Sequence, residues 1–576
     1  MSYEMASILK KMIHGHAYYY ARECRRVDGK PKIVWQQYLG RAEDLIAAAT
    51  ATSAATPPAP REGIVTEFGG SAALYDLAGR LRLVACIDRH VPKARGAGPS
   101  VGTYLLVAAL NRCLAPRSKV QIGDWFDHTV LRRLVPVQAT QLTSQRFWDN
   151  MDRVSPEAIV AIERDLTAHL VPTFDLDLRQ VLFDATNFFT FIDTFNERCT
   201  LAQRGKSKEG RTSLRIVGLA LLVTADFHVP LCHQTYPGNQ PDAPTFAGLT
   251  EELVARHQLV AGGVERVTLI FDKGNNSQDN LTALADSPYH FIGSLVPTQH
   301  PELLAVPARR FRSLADDGFP QVTAYRTSKE VFGQRRTVVV TYNEALFVAQ
   351  SRTLLREIAK RQRQLRALQA QLRRWHSGTV RGGKPPTVAG TQKKVAGWLA
   401  ARHMKELLAV TVVADTQGLP TLTYRLQQTA WERLQRTLLG KTILFTDNAD
   451  WSDAAIVRGY RSQHQVESAF RHLKDPHYLS VRPQRHWTDQ KIKVHVFYCV
   501  LALTLSSLLQ RELSQRGIER SIPALLTELS QIQEITLLYP PPASGESPTI
   551  GTMLSRLTSS QRQLYQALDL QRYRAT

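Results

Sequence analysis

The chain has 576 residues, 43% of them apolar and 21% charged, which suits a soluble protein of two to four domains. Its 72 lysines and arginines outnumber 51 acids, a formal charge of +21 that favours a polyanion, most simply nucleic acid. Six scattered cysteines with no CxxC pair argue against a zinc site and for reduced thiols, the default in a cytosol.

An anionic membrane is the competing polyanion, and it would want a basic amphipathic anchor or a long apolar segment. The longest apolar run, "VHVFYCVLALTLSSLLQ" at 494–510, is short and carries His495 and two serines, so it reads as a buried core helix. The N-terminus shows no long apolar core followed by a small-residue cleavage site. No membrane partner is expected.

Residues 1–49 hold a predicted β-ribbon. "YYYARECRRV" and "KPKIVWQQYLG" flank Asp28-Gly29, a strong hairpin signal, and its basic and aromatic arms suit DNA contact as well as a solvated face. Residues 50–63 are small and Pro-rich and read as a linker. Residues 64–174 read as a helical module for DNA binding or dimerisation. In it, Ser155-Pro156 is an N-cap followed by a first-turn proline.

From 175 to 296 the order becomes β-β-β-α-β-α-β. "RQVLFDATNFF" is a strand expected to end at Asp184. Strands at 213–224 and 228–238 follow, then a helix over 241–257. "VERVTLIFDKGNNS" is a strand expected to end at Asp272, and a short helix leads to a strand at 289–296. Residues 297–450 read as a β-rich insertion holding a long helix at 351–376, in which eight residues are basic and one, Glu357, is acidic. Residues 451–512 return to the core with a helix carrying Glu467, and 513–576 form a helical appendage.

Three acids stand out by position. If the strands bearing Asp184 and Asp272 are neighbours, their ends bring the two carboxylates side by side, where ligand sites favour strand ends. A helix across that edge can deliver Glu467. Three such carboxylates suit two Mg²⁺ ions, about 3.5–4 Å apart, for displacement at phosphorus, with no His or Cys needed. Tyr460, Glu467 and Lys474 are spaced by seven, which predicts one helical face, with Arg461, His464 and Arg471 close by. A cap, a turn and a salt-bridged helix residue are the plain alternatives for each acid alone. Asp226 reads as a turn, Asp242 as a helix cap, Asp475 as a helix end before Pro476, and Asp447 stays open.

These segments resemble insertion-sequence transposases of the DDE type, the branch marked by Tyr-x2-Arg-x3-Glu-x6-Lys. Tyr460, Glu467 and Lys474 match that signature, while residue 463 is Gln where the signature has Arg. "LFDATN", "TYPGNQPDAPTF" and "LIFDKGNNSQDNL" resemble the first-acid, linking and second-acid segments. The resemblance covers roughly 175–510. It implies a multidomain α+β/α/β protein with a ribonuclease-H-like core, β-β-β-α-β-α-β-α, interrupted by the insertion. It implies Asp184, Asp272 and Glu467 as catalytic metal ligands for two Mg²⁺, with Mn²⁺ able to substitute. Tyr460, Arg461, His464, Arg471 and Lys474 are the implied DNA contacts. The implied partner is double-stranded DNA, as terminal inverted repeats and target, bound by a homodimer in the bacterial cytosol. The competing readings are a ribonuclease-H-like nuclease or resolvase, and an inactive or domesticated DNA-binding protein. A tyrosine recombinase is a weaker one, for want of an Arg/His set around a nucleophile.

Overall fold

The computed structural model describes every residue except 1–5, 28–29, 52–58, 94–97, 194, 206–212, 241–265, 288, 316, 381, 541–548 and 576. The expected helix over 241–257, Asp242 with it, and the Asp28-Gly29 turn lie outside the described residues. The chain forms two compact units: residues 1–66, 533–556 and 575–576, and residues 67–532 with 557–574.

In the first unit β1 (Ala6–Ile13), β2 (His16–Val27) and β3 (Lys30–Arg41) form an antiparallel ribbon, and β4 (Glu62–Glu67) follows a helix at Ala42–Ala51. Strands β2 and β3 are the expected hairpin, with Val27 paired to Lys30. Strand β1 is an addition: "ASILKKMI" lacks a period-2 pattern. It turns into β2 at His14-Gly15, where both residues have positive φ, 47° and 80°.

The second unit is built on a nine-stranded sheet. Its strands are β5 (Gln180–Phe189), β6 (Ile216–Thr224), β7 (Pro230–Pro237), β8 (Thr268–Ile270), β9 (His290–Leu295), β10 (Arg312–Leu314), β11 (Phe319–Val331), β12 (Gln334–Asn343) and, after a separate hairpin of β13 (Leu408–Ala414) and β14 (Pro420–Leu426), β15 (Lys441–Thr446). The order is β10-β11-β12-β15-β9-β8-β5-β6-β7. Strands β5, β6 and β7 are an antiparallel meander, while β5, β8 and β9 run parallel.

Two expectations change here. Strand β5 does not end at Asp184, because Asn187, Phe188 and Phe189 go on pairing with Gly218, Val217 and Ile216 of β6. And residues 297–450 are not wholly an insertion, since β10, β11, β12 and β15 extend the main sheet. The reason is visible in "RRTVVVTYN": Val338, Val339 and Val340 are all fully buried, so β12 has both faces covered and a strand on each side. What stands off from the sheet is the hairpin β13-β14, the helix Val388–Leu399 and the long helix, which begins earlier than expected and spans Glu344–His376.

The helix Asp489–Gln515 is the core of this unit. It is long and apolar enough to cross a membrane, yet 94% of its apolar window is buried. It packs against the helices Gly69–Arg80, Val101–Leu114, Ser144–Asp152 and Pro156–Phe174 and against β7. The helices after residue 67 therefore share one core with the sheet rather than forming a separate module. Ser155 accepts from the Ala158 amide at 3.1 Å with Pro156 in the first turn, the cap that the sequence implies. The C-terminal part is not wholly helical: β16 (Gln533–Leu538) and β17 (Ile550–Leu554) join β4 in the first unit, in the order β17-β16-β4.

Candidate active site

The register between β5 and β8 aligns the two aspartates. Gln180 pairs with Thr268, and Leu182 pairs with Ile270. Asp184 and Asp272 are each two residues beyond that last pair: Asp184 is still within β5, while Asp272 lies just past the end of β8. The strand period of two keeps Asp184 on the face of Leu182.

Asp272 occupies the N-cap position of a short 3₁₀ turn, Lys273–Asn275, but its side chain makes no capping hydrogen bond. The plain reading of a strand-end aspartate as a cap is thus not what this carboxylate does. Its Oδ1 instead faces two hydroxyls: the Tyr460 Oη donates to it at 3.3 Å, and Ser294 Oγ on β9 lies 3.4 Å away. Tyr460 Oη and Ser294 Oγ are themselves 2.8 Å apart. Burial raises the Tyr460 phenol well above its ordinary pKa, and the charges of Asp272 and Glu467 add to the rise. Tyr460 therefore lies within electrostatic reach of two of the three acids.

Glu467 is exposed on the helix His464–Lys474. That helix reaches Asp184's strand through Lys474, whose Nζ donates to Thr186 Oγ1 at 2.7 Å and lies 5.6 Å from the centre of the Phe188 ring. Residues 184, 186 and 188 alternate onto one side of β5. Glu467 and Lys474 are seven residues, two turns, apart on one face of their helix, so the contact docks Glu467's helix on Asp184's side of the sheet.

Tyr460 is not on that helix. It ends the helix Asp453–Arg461, and the chain tightens at Ser462 and Gln463 before the Glu467 helix begins. The Ser462 amide faces the carbonyls of both Arg458 and Gly459, and its hydroxyl bonds back to Gly459 O at 2.6 Å. The Gln463 and Gln465 amides take three-residue bonds, to Tyr460 O and Ser462 O. A helix-poor glycine and a serine that competes for the backbone make this the weak point of the segment. The expectation of one face for 460, 467 and 474 therefore holds only for the last two. Gln463, in the signature's arginine position, is buried in this turn.

The Arg461 guanidinium stacks 4.8 Å from the Phe319 ring of β11, and burial lowers its pKa. His464 opens the Glu467 helix, exposed, with Nδ1 2.7 Å from Arg461 O. Arg471 is exposed beside His472. Asp226 lies in the turn between β6 and β7 and pairs with Arg511 at 3.1 Å. Asp475 ends the Glu467 helix and accepts from the His477 amide at 2.9 Å. Asp447 ties β15 to the start of β9, accepting from the Phe291 amide at 2.9 Å, and so sits toward the opposite end of β9 from Ser294.

Three contributors are absent from the sequence reading: Ser294, Thr186 and His228. The first two are single hydroxyls inside apolar strands, "FIGSLV" and "FDATNFF", and that isolation was the available signal. His228, in the β6-β7 turn, has Nδ1 2.9 Å from Gln465 Oε1 and stacks on His472, ring centres 5.5 Å apart. It docks the Glu467 helix from the other side.

The donor set of three carboxylates suits a hard divalent cation such as Mg²⁺, which takes oxygen ligands. The two aspartates fit it in kind. Among the described residues no three His, Cys, Asp or Glu side chains already stand close enough together to hold a metal ion.

No curated protein matches the chain. A solved structure described as "Cryo-EM structure of piggyBac transposase synaptic complex with hairpin DNA (SNHP)" aligns with it at 8% identity, over 82% of each chain, with a TM-score of 0.35. The family model described as "Transposase DDE domain" matches residues 179–505, from the start of β5 through most of the core helix. That is more than half of the 576 residues, and the chain belongs to the Transposase DDE domain family.

Proposed function

We propose that the protein is a DNA transposase that binds the terminal inverted repeats of its element, cleaves there, and joins the freed 3′-hydroxyl to target DNA. The observation that carries this reading is the placement of Asp184 on β5 and of Asp272 just past the end of β8, its parallel neighbour, with the Glu467 helix docked on β5 through Lys474 and Thr186. The strand order β7-β6-β5-β8-β9, an antiparallel meander followed by two parallel strands, supports a ribonuclease-H-like core.

Asp184, Asp272 and Glu467 would hold the metal, two Mg²⁺ with Mn²⁺ as a substitute. The bound metal supplies charge neutralisation at the phosphate and a more acidic water or 3′-hydroxyl. The chain supplies the rest. Tyr460 and Ser294 both meet Oδ1 of Asp272, which orients the carboxylate and leaves Oδ2 free of them. Lys474 sits where it can exchange its Thr186 contact for a phosphate oxygen. Arg461, His464 and Arg471 are the proposed further contacts to the DNA end. Cleavage and joining are both in-line displacements at phosphorus, first by water and then by the freed 3′-hydroxyl, so one constellation serves both. Glu467, on the helix that Lys474 docks against β5, would supply the third carboxylate of the set. Two copies acting on paired ends, in the cytosol, complete the proposal.

The test is joining. A labelled duplex of the element's end is incubated with supercoiled plasmid and Mg²⁺, and covalent transfer of label to plasmid is the expected result. Hydrolysis of the end with no joining would make the protein a nuclease or resolvase instead. Binding with neither would make it an inactive or domesticated DNA-binding protein.

A further inference from the structure

We propose that the exposed face of the helix Glu344–His376 is a sequence-independent grip for duplex DNA, a second interface apart from the three acids. The proposal rests on the reading of the protein as a DNA transposase and adds where, outside the site, duplex is held.

The helix has two opposed faces. Ile358, Leu365, Leu368 and Leu372 are buried on one. On the other, Arg352, Arg356, Lys360, Arg363 and Arg374 are all exposed, at spacings of four, four, three and eleven residues that return to one side of a helix. The helix is fastened along its flank: Gln369 Nε2 donates to Leu422 O at 2.9 Å and the exposed Arg366 Nε to the Tyr424 hydroxyl at 3.0 Å, both on β14. The stripe therefore stands on a rigid element rather than a loop. Glu357 is the one acid within residues 351–376, and it is already paired, to Arg361 on the flank. Among the described residues none of the five stripe cations pairs with an acid.

Arg352 to Arg374 spans 22 residues, or about 33 Å at the α-helical rise. That length is about one turn of B-form DNA. Four of the unpaired cations fall between Arg352 and Arg363, with Arg374 eleven residues further on, a reach over which they can meet phosphates on the two sides of a duplex groove, and phosphate contacts carry no sequence information. An apolar groove lined by Phe347, Val348, Leu355 and Trp431 runs beside Arg352 and Arg356, and a protein partner would favour it. The groove's last helix residue is Ala359, and the stripe continues to Arg374, 15 residues further. A second copy of the chain would set the stripe against its own sign of charge. Both points favour DNA.

The test measures binding of the full chain to a fluorescent duplex of arbitrary sequence across a salt series. Three proteins are compared: wild type, the quadruple variant R352A/R356A/K360A/R363A, and the triple variant R352K/R356K/R363K. All the altered side chains are exposed, so melting temperatures should agree. Each lost phosphate contact lowers the slope of log affinity against log salt by about 0.9. With four cations removed, the alanine variant should lose about 3.6 from that slope, and the lysine variant should keep the wild-type value. An unchanged slope in the alanine variant would overturn the proposal. So would an unchanged slope together with altered sedimentation, which would make the face a protein contact. Wild type that binds no duplex at any salt would instead overturn the DNA transposase reading itself.

Discussion

Tyr460 and Asp272 are 188 residues apart in the chain and meet through one hydrogen bond of 3.3 Å, phenol to carboxylate Oδ1. The same phenol lies 2.8 Å from Ser294 Oγ, so a strand, its neighbour and the helix leading to Glu467 converge on one carboxylate oxygen. Tyr460→Phe removes the donor and keeps the ring. The expected result is end cleavage slower by about tenfold, the value of one hydrogen bond to a charged group. The Mg²⁺ concentration for half-maximal rate should rise, while DNA affinity stays near wild type. An unchanged metal requirement would remove Tyr460 from the orientation of Asp272.

Lys474 separates docking from phosphate binding. Thr186→Val deletes the partner of its 2.7 Å bond and should lower stability by about 1 kcal/mol while leaving cleavage within a few-fold. Lys474→Ala removes both roles and should reduce cleavage far more than Thr186→Val does at equal folded fraction. Equal loss from the two variants would mean that Lys474 acts only through the strand.

Acid should loosen the Glu467 helix. Burial, with Arg471 adding to it, depresses His472 to about 4, and burial depresses His228 to about 4 as well. The folded values lie below the ordinary 6.5, so the fold holds the neutral rings. That stability is fully present above pH 6.5 and is lost as pH falls toward about 4. For His228 alone the span corresponds to roughly 3 kcal/mol. Melting temperature should fall steeply through that window, and His472→Gln should flatten the fall. A pH-independent melting point from 7 to 4 would contradict it.

Gly238, just after β7, has no room for a side chain. A Cβ there would stand 1.9 Å from the Ile216 carbonyl oxygen, and backbone cannot step aside. Gly238→Ala should cost about 3 kcal/mol, at the upper end for overpacking. Gly79, whose added Cβ meets nothing within 4 Å, is the control and should tolerate alanine. Denaturant midpoints of the two variants compare them directly.

Much of the site was legible because its parts are local. The apolar runs at β5, β6 and β9 mark strands by themselves, and the spacing of Glu467 and Lys474 survives inside one helix. What escaped depends on distant partners. Strands β10 to β12 and β15 join the main sheet only through pairings such as Val338 with Phe445, which no local pattern announces. The break at Ser462 hid because seven-residue spacing suggests an unbroken helix, whereas the hydroxyl of Ser462 bonding back to Gly459 decides otherwise. Asp447 could be judged only in space, where its ties to Phe291 and His290 account for it.

Asp184, Asp272 and Glu467 are proposed to act together on DNA. The most direct measurement is strand cleavage of a labelled duplex of the element's own end, with Mg²⁺, Mn²⁺ or Ca²⁺. Wild type is compared with Asp184→Asn, Asp272→Asn and Glu467→Gln, and DNA binding is read in parallel. The expected result is cleavage by wild type with Mg²⁺ or Mn²⁺, none after chelation, and a loss of about 1000-fold or more, some 4 kcal/mol of barrier, in each variant at undiminished binding. Variants that bind and cut as well as wild type would contradict it.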